Sequence, residues 1–468
     1  RLKYHLMGEC GWINDPNGLI QYNGDYHAFF QYNPYDSEWG NIHWGHAISK
    51  DLIKWRHMPI ALGPDSPYDQ DGCFSGSAIE KDGKLFLVYT GNVFIGPDKK
   101  KDYKQTQCLA ISEDGVVFHK YSKNPIIGSD LIPIGSSTSD FRDPRVFKKG
   151  DKYFIIIGTN DGHYRGQVLL YESGDMFEWK YKGVLAKGDE LMGSNWECPD
   201  LFEIGNQDIL IVSPENCNIV NGFENSNSSV YMTGKFKPDK SVFDIYDTHL
   251  IDCGFDFYAP QTFKDDKQRR IIMGWMHTWN IPTPTQTEKH NWAGAMTFPR
   301  EIKFVDNKFL FNPVDEIKNY RCNRYYLSDA KINGEKVLES FGDCYELQVV
   351  INANDSAEFG LKLRTGFDEE TVLSYKRDGR LFIFDREKSG SGPGGIRKTA
   401  IELIDNRLYL RILVDTCSVE VFVNNGEKVM TGLIFPSKES TGIKVFSKGI
   451  CIIETLSKWD IKLDKTVV

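Results

Sequence analysis

The feature that most constrains the fold is a sequence frame that recurs five times in the first two thirds of the chain. Each copy holds a short polar or aromatic motif, then a turn that contains Gly or Asp, then an apolar run typical of a strand. The turns lie at Gly24, Gly83, Gly150, Gly205 and Asp266, about 55 to 67 residues apart, a spacing suited to propeller blades with long loops. Five units of this kind close into a ring with short, protected sheet edges. The sequence therefore predicts a five-bladed β-propeller.

A second repeat follows three of these copies. It consists of Ser-x-Asp and then an aromatic residue, and it recurs about every 60 residues. We interpret it as a turn that enters an outer strand. Apolar runs follow Gly turns in any all-β chain, but here the order of motif, turn, strand, Ser-x-Asp and aromatic residue is kept. The three segments are Ser49-Lys50-Asp51 to Trp55, Ser112-Glu113-Asp114 to Phe118, and Ser173-Gly174-Asp175 to Trp179.

The length of the chain predicts a second domain, because 468 residues exceed what one ordinary core accommodates. Beyond residues 313–324, alternating strands recur about every 10 residues, which is typical of an antiparallel sandwich. We therefore predict an all-β protein, with a five-bladed β-propeller in residues 1–315 and a C-terminal β-sandwich in residues 325–468. The predicted sandwich strands are 345–351, 358–364, 371–376, 381–385, 408–414, 418–423 and 442–447.

Three carboxylates, Asp15, Asp143 and Glu197, precede the Gly turns of their repeats by seven to nine residues. We expect all three at one equivalent place in the repeated unit, and hence facing one another across the central funnel. Clustered carboxylates repel when all are ionised, so the pKa of one of them should rise and leave a proton donor beside a nucleophile. A carboxylic acid that donates a proton beside a carboxylate nucleophile is the arrangement that a glycosidase uses.

A metal site is the main competing interpretation, since carboxylates also bind calcium. Against it, the chain has no Asp-x-Asp-x-Asp loop, and aromatic residues that stack on sugars surround the acids. His43 and His46 are candidate ligands, but we expect them to pack or hydrogen-bond in the aromatic wall. We therefore predict neither a metal nor another cofactor.

Charge and hydropathy exclude other classes of protein. The net charge of −9 argues against binding to nucleic acid, whose partners carry basic surfaces. No apolar run approaches the roughly 18 residues that span a bilayer, so we expect no membrane partner. The ten cysteines include no Cys-x-x-Cys pair. Because the chain begins at Arg1 and not at Met, we expect that a signal peptide or tag has been removed, and both a secreted and a cytoplasmic location stay open.

The motifs together resemble glycoside hydrolase family 32, the invertases, inulinases and levanases that cleave β-fructofuranosides. Trp12-Ile13-Asn14-Asp15-Pro16-Asn17-Gly18 resembles the family's nucleophile motif, with Ile where Met is frequent. Arg142-Asp143-Pro144 resembles its second acid motif, and Glu197-Cys198 its acid/base motif. Asn-Asp-Pro and Arg-Asp-Pro are each ordinary turn sequences, but three motifs in this order are highly specific.

The resemblance implies a retaining hydrolase in which Asp15 attacks the anomeric carbon and Glu197 is the acid and then the base. Asp143 would hold fructose hydroxyls, and Arg142 would help to keep Asp143 ionised. The resemblance also implies a set of residues that shape the sugar pocket. These are Asn14, Gln31, Trp39, Phe74, Ser75, Arg142, Tyr258, Trp275 and Trp292, of which Tyr258 and Trp292 match less closely.

The substrate stays open at the level of the sequence. Sucrose is the leading expectation, and sucrose 6-phosphate, inulin and levan share the same mechanism. A phosphate would need an extra cation at the pocket rim, for which segment 99–104 and Lys289 are candidates, although lysine runs are usually solvated. Transfer of fructose to another sugar, and a catalytically silent sugar-binding propeller, are the remaining alternatives. The sandwich is expected to stabilise the propeller or to complete a homo-oligomer.

Overall fold

The computed structural model describes residues 1–217, 225–306 and 308–463, and most of these residues lie in β-strands. The one α-helix in the described residues is a single turn, α1 (Pro284–Thr287), so the prediction of an all-β protein is confirmed. The second strand of each repeat is apolar on both faces because neighbouring blades cover both sides of it. In the third repeat, for example, this strand is buried along its whole length after its first residue.

The first three repeats form the first three blades. Each blade is an antiparallel sheet in which successive strands are neighbours. Blade 1 contains β1 (Gly11–Tyr22), β2 (Asp25–Asn33), β3 (His43–Ser49) and β4 (Arg56–Leu62). Blade 2 contains β5 (Cys73–Lys81), β6 (Lys84–Phe94), β7 (Tyr103–Ser112) and β8 (His119–Lys120). Blade 3 contains β9 (Phe141–Lys149), β10 (Lys152–Asn160), β11 (Gly166–Ser173) and β12 (Lys180–Lys187).

The last two repeats complete and close the ring. Blade 4 contains β13 (Asn195–Ile204), β14 (Gln207–Glu215), β15 (Val230–Lys237) and β16 (Val242–Leu250). Blade 5 contains β17 (Tyr258–Lys264), β18 (Arg270–Trp275), β20 (Arg300–Val305) and β21 (Lys308–Pro313). The short strand β19 (Trp292–Ala293) leaves blade 5 and pairs in parallel with β1. The first strands of neighbouring blades contact one another, and β17 contacts β1, so these strands surround the central funnel.

The predicted turns lie where the repeats indicate. Each Gly turn joins the first and second strands of a blade, except that Asp265 to Arg269 form that connection in blade 5. The Ser-x-Asp segments join the third strand to the outer strand in blades 1 to 3. In each, the Asp side chain accepts backbone N–H groups two and three residues later, which stabilises the tight turn.

The C-terminal region forms the predicted sandwich from one continuous sheet of ten strands. Two long strands, β22 (Arg321–Phe341) and the last strand β31 (Gly442–Ile461), pair with each other along most of their length. They bend where Gly334 and Gly449 take φ of 85° and 99°. The bend lets the last strand join two layers, one through residues 442–448 and the other through 452–460. The ten strands are β22 (Arg321–Phe341), β23 (Tyr345–Asn352), β24 (Glu358–Thr365), β25 (Glu370–Lys376), β26 (Leu381–Lys388), β27 (Ile396–Ala400), β28 (Arg407–Asp415), β29 (Ser418–Val423), β30 (Lys428–Leu433) and β31 (Gly442–Ile461).

The propeller and the sandwich pack closely against each other. Phe257, Phe298 and Phe311 of the propeller share one apolar core with Phe422 and Val429 of the sandwich. Arg300 is fully buried there and donates to Asp252 at 2.9 Å and to Glu420 at 2.6 Å, which compensates its charge. We propose the domain boundary between the end of β21 and residue 325. Residues 464–468 of the predicted sandwich lie outside the described residues.

Candidate active site

A pocket of about 300 Å³ opens where the first strands of the blades begin. It brings together the three predicted acids and six further residues from the predicted set. Its walls come from blades 1 to 4 and from the segment after β18. The lining residues are Asn14, Asp15, Gln31, Trp39, Phe74, Ser75, Asn92, Phe94, Lys99, Lys100, Tyr103, Gln105, Arg142, Asp143, Glu197 and Trp279.

A β-bulge at the mouth of the funnel aims these side chains. In every blade the pairing of the first two strands is irregular at the motif, for example between Ile13 and Pro16 and between Glu197 and Asp200. Bulges of this kind bend the strand and redirect a side chain. Asp143 and Cys198 accordingly have positive φ of 64° and 45°, and each precedes a proline.

The bulges correct the expectation that the three acids occupy equivalent places. Asp15 precedes Pro16 and Asp143 precedes Pro144, whereas Cys198 is the residue that precedes Pro199. Glu197 lies one position earlier, in line with Arg142 of blade 3 and Tyr258 of blade 5. The acids converge because the bulge lets side chains from two successive positions reach the pocket.

Asp15 is buried and held by neutral donors. Ser75 Oγ donates to Asp15 Oδ2 at 2.6 Å, and Asn14 Nδ2 donates to Asp15 Oδ1 at 3.1 Å. Asn14 is itself oriented by Trp12 Nε1, which donates to its Oδ1 at 2.8 Å. Burial and the nearby charge of Glu197 raise the pKa of Asp15 to about 6, although the bonds from Ser75 and Asn14 oppose this rise. Asp15 is therefore mainly ionised at neutral pH.

Asp143 contacts Cys198, as Asp15 does. The backbone N–H of Cys198 donates to Asp143 Oδ2 at 2.9 Å, and the Cys198 Sγ is 3.5 Å from a carboxylate oxygen of each acid. Burial and the charge of Glu197 raise the pKa of Asp143, and the charge of Arg142 opposes this rise. Arg142 thus favours the ionised form of Asp143, as expected, but its guanidinium hydrogen-bonds other carboxylates and does not outweigh burial and the charge of Glu197.

Glu197 is fixed by one charged and one neutral donor. Arg142 Nε donates to Glu197 Oε1 at 2.9 Å, and the Tyr258 hydroxyl donates to Glu197 Oε2 at 2.6 Å. The same hydroxyl oxygen lies 3.1 Å from the carbonyl oxygen of Ser213. Tyr258 is thus brought to the site behind Glu197, although it does not line the pocket. The rise in pKa expected for one acid of the cluster falls on both Asp15 and Asp143.

The aromatic wall differs from the prediction in two tryptophans. Trp39 and Phe74 line the pocket, with ring centroids 5.8 Å apart. Trp275 does not line it, because its ring is fully buried beneath Trp12 and Trp279, at 5.5 and 4.9 Å. Trp292 lies in β19 and pairs with Gly11, so its backbone closes the ring instead of forming the pocket wall. Trp279 takes the expected place of an aromatic residue at the pocket.

Several residues at the site were not predicted from the sequence. Asn92, Gln105 and Tyr103 reach the pocket from β6 and β7 of blade 2, and Asp140 and Glu215 surround Arg142. Of the additional lining residues, only Lys99 and Lys100 were indicated by the sequence, because they belong to the lysine-rich segment 99–104 that was a candidate for binding phosphate. They line the pocket, whereas Lys289 of the same prediction does not.

The two histidines pack as expected. His46 stacks on Phe29 at 4.2 Å and hydrogen-bonds His27 at 3.0 Å, and His43 contacts the carbonyl of Asn41 at 2.5 Å. Burial lowers the pKa of His46 to about 3, so it is neutral.

Within residues 1–217, 225–306 and 308–463, no group of three or more His, Cys, Asp or Glu side chains could hold a metal ion. The same residues contain no helix long and apolar enough to cross a membrane.

Comparisons with known families agree with the site. Residues 5–313 match the model of the glycosyl hydrolases family 32 N-terminal domain, and residues 316–460 match that of the family 32 C terminal. The chain is 39% identical over 451 residues to a raffinose invertase of Escherichia coli, covering 95% of this chain and 91% of that one. It is 36% identical over 463 residues to a sucrose-6-phosphate hydrolase of Escherichia coli, with coverages of 98% and 94%.

Solved structures are similar over almost the whole chain. A family 32 β-fructofuranosidase from Bombyx mori superposes with a TM-score of 0.85 at 32% identity, covering 99% of this chain and 94% of that one. A sucrose-6-phosphate hydrolase from Lactobacillus gasseri superposes with a TM-score of 0.88 at 29% identity, with coverages of 99% and 93%. The five-bladed propeller with its C-terminal sandwich is thus the architecture of these structures too.

Proposed function

The chain belongs to glycoside hydrolase family 32, and on this premise we propose that it is a retaining β-fructofuranosidase that releases terminal, non-reducing fructose, with sucrose as its substrate. The observation that carries the proposal is that Asp15 and Glu197 share one pocket but receive different hydrogen bonds. A retaining glycosidase needs two carboxyl groups with separate tasks, one as a nucleophile and one as an acid.

Asp15 is suited to the nucleophilic step. Its carboxylate would attack the anomeric carbon of the fructosyl unit and form a covalent ester, while the bond to the leaving oxygen breaks. Ser75 and Asn14 hold it by neutral hydrogen bonds, so no cation withdraws its negative charge. The pKa of about 6 keeps most of the group ionised at pH 7.

Glu197 is suited to the proton transfers. It would donate a proton to the leaving glycosidic oxygen, and then take one from the water that hydrolyses the ester. Arg142 and Tyr258 each bind one of its oxygens, which fixes the direction of the carboxyl group. Asp143 and Asn92, together with the amides of Gln31 and Gln105, supply polar groups for fructose hydroxyls, and Trp39 and Phe74 supply apolar faces.

The test is a product assay with purified protein and four substrates side by side: sucrose, sucrose 6-phosphate, inulin and levan. We expect equimolar glucose and fructose from sucrose. Activity on inulin or levan alone would contradict sucrose as the substrate, and no release of fructose from any of the four would contradict the proposal as a whole.

Sucrose 6-phosphate is the second candidate, and one observation favours it. Lys99 and Lys100 line the pocket from the loop between β6 and β7, and Lys99 Nζ lies 5.0 Å from the ring of Phe94. The inner part of the pocket is rich in carboxylates, so a phosphate dianion would need cations at its mouth. Two relatives reported above carry the name sucrose-6-phosphate hydrolase, which supports the same substrate class.

The two candidates are separated by the ratio of kcat/KM for sucrose 6-phosphate to that for sucrose. If the phosphorylated sugar is the substrate, the double variant K99A/K100A should lower this ratio by about 30-fold, since two solvent-exposed charge-assisted bonds of about 1 kcal/mol each contribute about 2 kcal/mol. Lys101→Ala is the matched control, because Lys101 lies in the same loop but does not line the pocket. An unchanged ratio in the double variant would exclude a phosphate contact by these lysines.

A further inference from the structure

Arg142 is shared by three carboxylates. Its side chain is only 11% exposed, and it donates through Nε to Glu197 at 2.9 Å, through one terminal nitrogen to Asp140 at 2.8 Å, and through the other to Glu215 at 3.0 Å. One guanidinium is therefore shared by three carboxyl groups in a largely buried space. Only Glu197 of the three carboxylates lines the pocket.

Glu215 reaches the guanidinium from behind Glu197. It ends β14, which pairs with β13, and it lies opposite Asn195 in this pair. Asn195 Nδ2 donates to the same Glu215 oxygen as Arg142, at 2.9 Å. Glu215 therefore has a defined orientation in the site but no place in the pocket lining, so any effect on the reaction must pass through Arg142 and Glu197.

The groups that face these two acids, each acid included for the other, come from six strands (β1, β7, β9, β13, β14 and β17) and from the segment before β9. Glu197 faces Arg142, Asp143, Asp15, Tyr258 and the thiol of Cys198. Glu215 faces Arg142, Glu197, Asp140, Tyr103 and Tyr258. Burial and the charge of Glu197 raise the pKa of Glu215, so the two acids compete for one guanidinium and disfavour each other's ionisation.

This competition bears on the task of Glu197. An acid catalyst must hold its proton until the glycosidic oxygen takes it, but a bond from an arginine favours the ionised form. If Arg142 bound Glu197 alone, the full charge of the guanidinium would act on Glu197 and favour its carboxylate form. Sharing the guanidinium with Glu215 and Asp140 weakens the effect of Arg142 on Glu197. Repulsion from the charge of Glu215 acts in the same direction, because it also favours the protonated form of Glu197.

We propose that Glu215 is a positioning residue for the reaction: by drawing on the same guanidinium, it lets Glu197 keep its proton and sets the upper pH limit of activity. The inference rests on the proposed function, in which Glu197 is the acid. It assigns no contact with the sugar to Glu215. The expected signature is therefore a change in the pH profile and not in the affinity for substrate.

The test is the pH dependence of kcat/KM for Glu215→Gln with sucrose, or with whichever fructoside the wild type cleaves. Glutamine keeps an oxygen acceptor for Arg142 and removes the charge. The alkaline limb should move to lower pH by about one unit, because Glu197 loses a repelling charge and gains a larger share of Arg142. KM and the rate on the acidic side of the optimum should stay within a few fold.

Two further variants make the outcome decisive. Glu172→Gln is the matched control, since Glu172 accepts from Lys152 at 2.9 Å in a similar ion pair far from the pocket and should leave the profile unmoved. Asp140→Asn removes the other shared charge and should move the alkaline limb in the same direction, which keeps the test valid if Glu215→Gln fails to fold.

An alkaline limb that does not move in folded Glu215→Gln, or in Asp140→Asn if the first variant does not fold, would overturn the inference. In that case the wild type would still cleave a fructoside with its own pH optimum. A wild type that cleaves no fructoside would instead overturn the proposed function, so the two failures are distinguishable.

Discussion

Removing the hydroxyl of Ser75 should shift the acidic limb of the pH profile, because this hydroxyl helps to keep Asp15 ionised. The bond from Ser75 Oγ to Asp15 Oδ2 is 2.6 Å long, buried and charge-assisted. Such a bond is worth about 1.5 to 3 kcal/mol, which corresponds to a change of about 1 to 2 units in the pKa of the carboxyl group. The pKa of Asp15 in Ser75→Ala should therefore rise from about 6 to between about 7 and 8.

The acidic limb should move to higher pH, because the nucleophile Asp15 must be ionised to attack. Activity of the wild type should fall as the pH drops through about 6, and that of Ser75→Ala should fall at higher pH. At pH 7 the ionised fraction of Asp15 would fall from about nine tenths to between about a half and a tenth. The loss of rate is therefore about 2- to 10-fold at pH 7 and becomes smaller above pH 8.

The assay is kcat/KM for sucrose between pH 4 and 9. Ser112→Ala is the matched control, because Ser112 Oγ donates to Asp114 at 2.9 Å in a remote turn, and its loss should not move the profile. Far-UV circular dichroism and the melting temperature establish that both variants fold. An acidic limb at the same pH in Ser75→Ala and the wild type would refute the reasoning, even if the overall rate fell.

Three further predictions follow from the acids. Asp15→Ala and Glu197→Gln should each lower kcat by roughly 10²- to 10⁴-fold or more while the melting temperature stays within a few degrees, and full activity of either folded variant would contradict its assigned part in the reaction. Asp143→Asn should be more stable than the wild type at pH 8 but not at pH 4. The folded-state pKa of Asp143 is raised, so its contribution to stability is full below the unfolded value near 4 and is lost as the pH rises through the folded value. Thermal denaturation at both pH values checks this, and a lower melting temperature of the variant at pH 8 would argue against it. EDTA should leave the activity unchanged, whereas inactivation that added calcium reverses would restore the metal interpretation.

Much of the fold was predictable because the information is local. The five turns and the strands that follow them lie within short stretches of sequence, so the number and order of the blades could be inferred from spacing alone. Seven sandwich strands were predicted for the same reason, as their apolar residues alternate. Strand β22 was not, because it is a charged edge strand that pairs only with β31, more than a hundred residues away. An edge strand buries little apolar surface and so leaves little periodic signal.

The three acids were also predictable, because each lies in a motif whose order along the chain is specific. Their partners were not. Arg142 meets Glu197 and Glu215 from other strands, and Tyr258 reaches Glu197 across the funnel, so these contacts depend on ring closure. Glu197 lies one position earlier in its strand than Asp15 and Asp143 do in theirs. Its side chain still reaches the pocket because of the β-bulges, and these are seen in the pairing of the strands.

The sequence by itself thus determined the class of fold, the repeat and the identity of the acids. Only the tertiary structure decided which charges share one arginine, which tryptophans face the pocket and which lysines stand at its mouth. The physical reason is that strand formation depends on the residues next to one another in the chain. The electrostatics of a buried site depend instead on distances of a few ångströms between residues that closure of the ring brings together.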